Sequence, residues 1–173
     1  KKELFDLEAE FPELVTADSP TQRVEGKPLA QFNKVKHDQP MRSLNDAFTR
    51  EDMLAWRERL ENFLKTPIEA GRKDTYYCEL KIDGLGIELV YENGIFVLGS
   101  TRGDGEVGED VTQNLKTIEA IPLRLNEPER YGIAAKRLVV RGEIFMTHKE
   151  FAAANKEQER KGLKPYANPR NVA

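Results

Sequence analysis

Apolar positions recur at helical spacing near the N-terminus and again around residues 50–65, and beyond residue 75 they first alternate. Leu4, Leu7 and Phe11 share one helical face until Pro12 stops the pattern. From Thr16 to Pro40 no period holds, and Pro20, Gly26, Pro28 and Pro40 mark an extended crossing segment. The run "TREDMLAWRERLENFLKTP" pairs Thr49 with Asp52 at capping-box spacing, then sets Met53, Trp56, Leu60 and Phe63 on one face before Pro67. That predicts an amphipathic helix, with Trp56 packing helix against sheet. The period then becomes two. Tyr76, Cys78, Leu80 and Ile82 would face one way, and "YENGIF" supplies an Asn93-Gly94 hairpin turn, predicting antiparallel strands near 76–82, 86–92 and 95–101. A further strand signal, "RLVVRGEIFM", precedes Thr147 and Glu150, again at capping-box spacing, and a helix to about Gly162. Helices and hairpins without regular βαβ alternation predict an α+β fold with antiparallel sheet.

Composition narrows the function classes. The chain has 173 residues, 39% of them apolar, enough for one ordinary core. Its 27 Lys and Arg against 30 Asp and Glu leave a net charge of −3, which argues against binding nucleic acid by bulk electrostatics alone. A single cysteine, Cys78, rules out an intramolecular disulfide framework and suits a reducing, cytoplasmic setting. No apolar run is long enough to span a membrane. The chain starts without Met and stops at "NPRNVA", as expected of a piece of something longer.

The candidate chemistry centres on "CELKIDG". In a strand, residues two apart share a face about 6.6 Å apart, so Glu79 and Lys81 would point together, opposite Cys78. A solvated outer face is the ordinary reading of such a pair. Here Asp83 and Gly84 follow at once, placing a carboxylate and a close-approach residue beside the lysine. In "VVRGEIF", Arg141 and Glu143 share a face while Val140, Gly142 and Ile144 take the other, so two strands would line one polar cleft. A free lysine is neutral in only about one molecule in a thousand at pH 7.4. Neighbouring carboxylates oppose its use as a nucleophile unless a cation and a phosphate enter with the substrate. The spacing of Gly103, Gly105 and Gly108 matches a dinucleotide turn, but Asp104, Glu106, Glu109 and Asp110 crowd it and no βαβ unit surrounds it. A solvated acidic turn or a loop closing over a cleft is expected there. His37 and His148 read as surface or capping residues, and Cys78 as a core residue.

The K-x-D-G signature in "ELKIDG" resembles the adenylated-lysine motif of covalent nucleotidyltransferases: DNA ligases, RNA ligases and capping enzymes. In order, "DSPTQRV", "HDQPMRSLNDAF", "CELKIDGLGIEL", "STRGDGEVGEDVTQNLKTI", "VRGEIFM" and "ANPRN" resemble bacterial NAD-dependent DNA ligases, from about Leu14 to Ala173. The resemblance implies a truncated nucleotidyltransferase (ATP-grasp-like) fold of antiparallel sheets flanked by helices. Residues 1–38 would be a remnant of an N-terminal helical domain that grips nicotinamide mononucleotide, with a linker. Residues 39–173 would be part of the adenylation domain.

The same resemblance implies that Lys81 takes AMP from NAD as a phosphoamidate, supported by Asp83. Glu79 would contact adenine, Ser43 and Leu44 would border the nucleotide, Arg102 would reach ribose or phosphate, and Glu143 would hold the ribose. Mg2+ or Mn2+ would assist, and zinc would belong only to later parts of the parent. Many ATP-dependent relatives carry arginine where this chain has Gly86. Departures from the NAD family are Gly86 for alanine, Arg42 for leucine and "NVA" for "NAA". Nicked duplex DNA would be the parent's substrate and an adenine nucleotide this fragment's partner. The protein would be a bacterial cytoplasmic monomer, and the fragment alone would not join DNA. A noncatalytic adenine-nucleotide-binding module of the same fold is the alternative, and an ATP- or GTP-using RNA-processing enzyme a more distant one.

Overall fold

The computed structural model describes residues 2–23, 32–68, 76–126 and 136–172. It divides into two units, Lys1–Met41 with Ile82–Ala173, and Arg42–Lys81. The Gly26 and Pro28 part of the expected crossing segment lies outside the described residues.

The larger unit is organised by an antiparallel sheet in which β2 (Leu85–Glu92) lies between β3 (Ile95–Thr101) and β5 (Arg137–Ile144). The β2–β3 hairpin turns where the sequence predicts, with Asn93 at φ 49° and Gly94 at φ 78°. Two successive positive φ values suit the right-handed twist of the flanking strands. One face of β2 carries Ile87, Leu89 and Tyr91 into the core with Phe96, Leu115, Ile121 and Leu123. Leu115 comes from the short helix α3 (Thr112–Lys116), which lies so close over β3 that a Cβ on Gly99 would sit 2.2 Å from it. The Thr112 hydroxyl accepts the Gly99 N–H at 2.9 Å and anchors that contact. Tyr91 packs its ring 5.5 Å from that of Phe96 and donates its hydroxyl to the Pro122 carbonyl, and burial raises its pKa.

A two-stranded sheet pairs β1 (Lys34–Lys36) with β4 (Val107–Glu109). The N-terminal helix α1 (Lys2–Glu10) ends ahead of Pro12 as expected. A 3-10 turn at Pro20–Arg23 follows, from which Arg23 donates to the carbonyls of Lys116, Ile118 and Ile121. Those carbonyls lie at the end of α3 and just beyond it, where helix geometry leaves acceptors for a side-chain donor. Helix α4 (His148–Arg160) starts from the predicted capping box of Thr147 and Glu150 and stops ahead of Gly162 at φ 69°. Its charged face is exposed, as expected.

In the smaller unit, helix α2 (Arg50–Leu64) has the expected Thr49–Asp52 capping box, and Lys65 closes it at φ 53°. The Asp52 carboxylate accepts the Phe48 and Thr49 N–H groups, both at 3.0 Å, and these bonds lower its pKa. The apolar stripe exists but is not buried. Met53 and Phe63 are exposed, and Trp56 meets the ring of Tyr76 at 5.7 Å, inside its own unit.

A second correction concerns residues 76–83, which form no strand. Among the described residues they pair with no other segment in a ladder, and a strand exists only where its backbone groups find one. Tyr77 and Leu80 are therefore exposed at 88% and 85%, and Cys78 is an exposed thiol, not a core residue.

Truncating a core aromatic removes both its transfer energy and its packing. Phe96→Ala is expected to cost about 3–5 kcal/mol, against about 1 kcal/mol for the exposed cap substitution Thr147→Ala, both read by urea denaturation.

Candidate active site

Alternation on β2 and β5 assigns opposite tasks to the two faces of the sheet. The register sets Gly86 beside Glu143 and Glu88 beside Arg141, so these residues share the face away from the aliphatic core. That is the pairing expected for Arg141 and Glu143.

Three of the expected site residues converge near Gly84 and Gly86. Glu143 Oε1 accepts the Gly84 N–H at 3.1 Å, and a Cβ on Gly86 would lie 3.5 Å from Glu143 Oε2 and 3.5 Å from Arg102 Cβ. The Arg102 N–H bonds the Gly86 carbonyl at 2.8 Å, so the arginine leaves the end of β3 on the opposite side of β2 from Glu143. A Cβ on Gly84 would come within 2.0 Å of the Ile144 carbonyl oxygen, so a side chain there would push the two strands apart. Asp83, just before it, accepts from Arg170 at 2.7 Å, and both side chains are largely exposed. Chemically, this is a carboxylate and a guanidinium flanking bare glycine backbone, able to hold a ligand's hydroxyls and its phosphate.

The remaining expected residues, Ser43, Leu44, Glu79 and Lys81, all lie in the 42–81 unit. All four are exposed and stand on irregular chain. Glu79 and Lys81 therefore do not share a strand face.

The glycine turn is built differently from a dinucleotide fingerprint. Asp104 Oδ1 accepts the N–H groups of Glu106 at 2.9 Å and Val107 at 2.8 Å, while Gly103 and Gly105 take φ values of 56° and 98°. The turn is ordered and tied to the segment before residue 42. Its Gly105 carbonyl accepts the Met41 N–H and its Glu106 carbonyl accepts the His37 N–H.

Two groups escaped the sequence reading. Arg170 lies in the quoted "ANPRN" but was given no partner. His37, read as a surface residue, is buried against an equally buried Glu88, its Nδ1 3.1 Å from Glu88 Oε1. The signal was present in "GIELVY", where Glu88 interrupts an apolar run of the kind that strands buried on both faces show.

Comparison with known proteins completes the picture. Residues 29–173 match the NAD-dependent DNA ligase adenylation domain, and residues 1–25 match the DNA ligase-like, N-terminal NAD+-binding domain. The chain belongs to the NAD-dependent DNA ligase family. A DNA ligase of Ligilactobacillus salivarius is 52% identical over 98% of this chain. One of Acetivibrio thermocellus is 52% identical over 99%, and one of Citrifermentans bemidjiense 48% over 99%. The chain spans about a quarter of the length of these relatives, 23% to 25%. Within this family assignment the mixed fold with antiparallel sheets is as expected, and no described helix is long and apolar enough to cross a membrane.

In this ligase-family turn, hydrogen bonds from the Val107 and Glu106 amides hold the Asp104 carboxyl below its usual range. A depressed carboxylate pKa adds stability above the unfolded value of about 3.9, lost as pH falls through the lower folded value. The Asp104 carboxyl resonance is expected to titrate below that of an unstructured aspartate, with the Glu106 and Val107 amides losing exchange protection over the same acid range. A midpoint at the unperturbed value would contradict these bonds.

Proposed function

We propose that this chain carries the AMP-accepting part of an NAD-dependent DNA ligase, with Lys81 as the nucleophile. The observation that carries the reading is the convergence of Glu143 and Arg102 on the glycine backbone at Gly84–Gly86, which begins at the last residue of "ELKIDG". In the reaction, neutral Lys81 Nζ attacks the α-phosphorus of NAD. A P–N bond forms, the bridging P–O bond breaks, nicotinamide mononucleotide leaves with its phosphate, and the amine proton passes to solvent.

Glu143 accepts from the ribose hydroxyls, and Arg102 reaches the ribose or phosphate. Glu79 contacts the adenine, and Ser43 and Leu44 border the nucleotide. Asp83 supports the lysine, with Arg170 beside it offsetting its charge. We assign residues 1–38 to the part that grips the nicotinamide half and residues 39–173 to the adenylation part; the family matches run over 1–25 and 29–173.

Among the described residues, no group of three or more His, Cys, Asp and Glu side chains could hold a metal ion. Mg2+ or Mn2+ would be carried largely by substrate phosphates, the usual binding mode of Mg2+. Such an ion supplies charge neutralisation at the phosphates. Zinc is assigned to other parts of the parent protein. The parent would pass the AMP to a nick in duplex DNA and seal it, as the relatives' name, DNA ligase, suggests. This chain by itself is not expected to join DNA.

Intact mass after incubation with NAD and magnesium is expected to rise by one AMP unit, and not at all in Lys81→Ala. Bound nucleotide without adduct would instead make the chain a noncatalytic binding module, and labelling by ATP but not NAD would move it to another branch. Glu79→Ala is expected to weaken AMP binding about tenfold, the equivalent of ~1.4 kcal/mol. Unchanged affinity in calorimetry would remove Glu79 from the pocket.

A further inference from the structure

His37 presents both ring nitrogens to acceptors. Nδ1 lies 3.1 Å from Glu88 Oε1 and Nε2 lies 3.1 Å from the Arg102 carbonyl oxygen. The His37 side chain is fully buried and that of Glu88 is 4% exposed, so bulk water does not arbitrate between them. A carbonyl only accepts, which puts a proton on Nε2. A neutral ring would then turn its Nδ1 lone pair toward a carboxylate. One further proton must lie on the ring or on Glu88.

Glu88 Oε2 accepts from Arg141 Nε at 2.9 Å, a charge-assisted bond that favours the ionised carboxylate and sends the proton to the ring. In the neighbouring turn, which also carries Glu106, Glu109 and Asp110, the Asp104 carboxylate is within electrostatic reach of His37. On the histidine's own segment Asp38 is engaged by Arg137 of β5. A ring protonated at Nδ1 as well donates to Glu88 Oε1 and stands as a second cation opposite Arg141 at the same carboxylate.

We propose that His37 is a buried imidazolium and a positioning residue, clamped by Glu88 and fixing through its second nitrogen the main chain of Arg102. The clamp grips the carbonyl of the residue whose N–H bonds Gly86 and whose carbonyl also receives the Gly105 N–H at 3.0 Å. Arg141, on the far side of the same carboxylate, donates to the Gln39 and Pro40 carbonyls. One buried acid thus fixes the Arg102 turn and the stretch just ahead of Met41. The functional consequence rests on the reading of Arg102 as a nucleotide contact.

The chain has two histidines, so 15N spectra of the imidazoles separate His37 from exposed His148 with little ambiguity. At neutral pH both His37 nitrogens are expected in the protonated range. In Glu88→Gln, whose amide can donate, Nδ1 is expected to become an unprotonated acceptor. An unprotonated Nδ1 in the wild-type chain would overturn the charged clamp.

Positioning is tested by two variants that each keep half of the ring's bonding. His37→Gln places its amide near Nε2 and keeps the Arg102 bond, while His37→Asn places it near Nδ1 and keeps only Glu88. Gly105 amide exchange is expected to be about tenfold faster in the Asn variant than in the Gln variant, with AMP affinity about tenfold lower. Equal exchange in the two variants would overturn the positioning role. A split in exchange with equal AMP affinity would leave the clamp standing and remove Arg102 from the nucleotide.

Discussion

A carboxylate in the middle of the central strand sets the terms for the polar half of this structure. Glu88 is 3% exposed on a strand with neighbours on both sides, so its charge has no route to water and must be met by the protein. Removing one partner of such a buried ion typically costs about 3–5 kcal/mol, because the other charge is left uncompensated. The groups that meet it come from opposite ends of the sequence. His37 precedes it by 51 residues and Arg141 follows it by 53. Satisfying one acid therefore ties the segment before residue 42, the glycine turn and β5 into one polar layer, while the other face of the same sheet holds the aliphatic core.

What the sequence made legible is local. The two capping boxes and the Asn93-Gly94 turn each lie within four residues and were found where expected. Their geometry is set by the backbone preferences of the residues themselves. The Arg141 and Glu143 face was legible for the same reason, since alternation is a property of the strand alone. The 76–82 run shows the limit. Its alternation is as regular as that of β2, yet a strand also needs a partner segment to complete its ladder, and alternation carries no record of which segments pair.

Burial failed to be read in the same way. Cys78, Leu80, Met53 and Phe63 have the residue types of a core and stand exposed, whereas His37 and Glu88 have those of a surface and are buried. Of the site, Glu143 came from alternation and family resemblance together, Arg102 from resemblance alone, and Arg170 and His37 from neither. Their partners are distant in sequence. Arg170 reaches Asp83 across 87 residues.

The close contacts at Gly84, Gly103 and Gly108 have one more consequence. A Cβ at each would meet a carbonyl oxygen at 2.0, 1.9 and 1.8 Å, of Ile144, Val107 and Thr101 respectively. Main chain is thus pressed on main chain around Glu143 and Arg102. The calibre of this region is cut in polypeptide backbone, which exchanging side chains does not rescale. A ligand of different girth would be admitted by lengthening or shortening a loop more readily than by trading one residue for another.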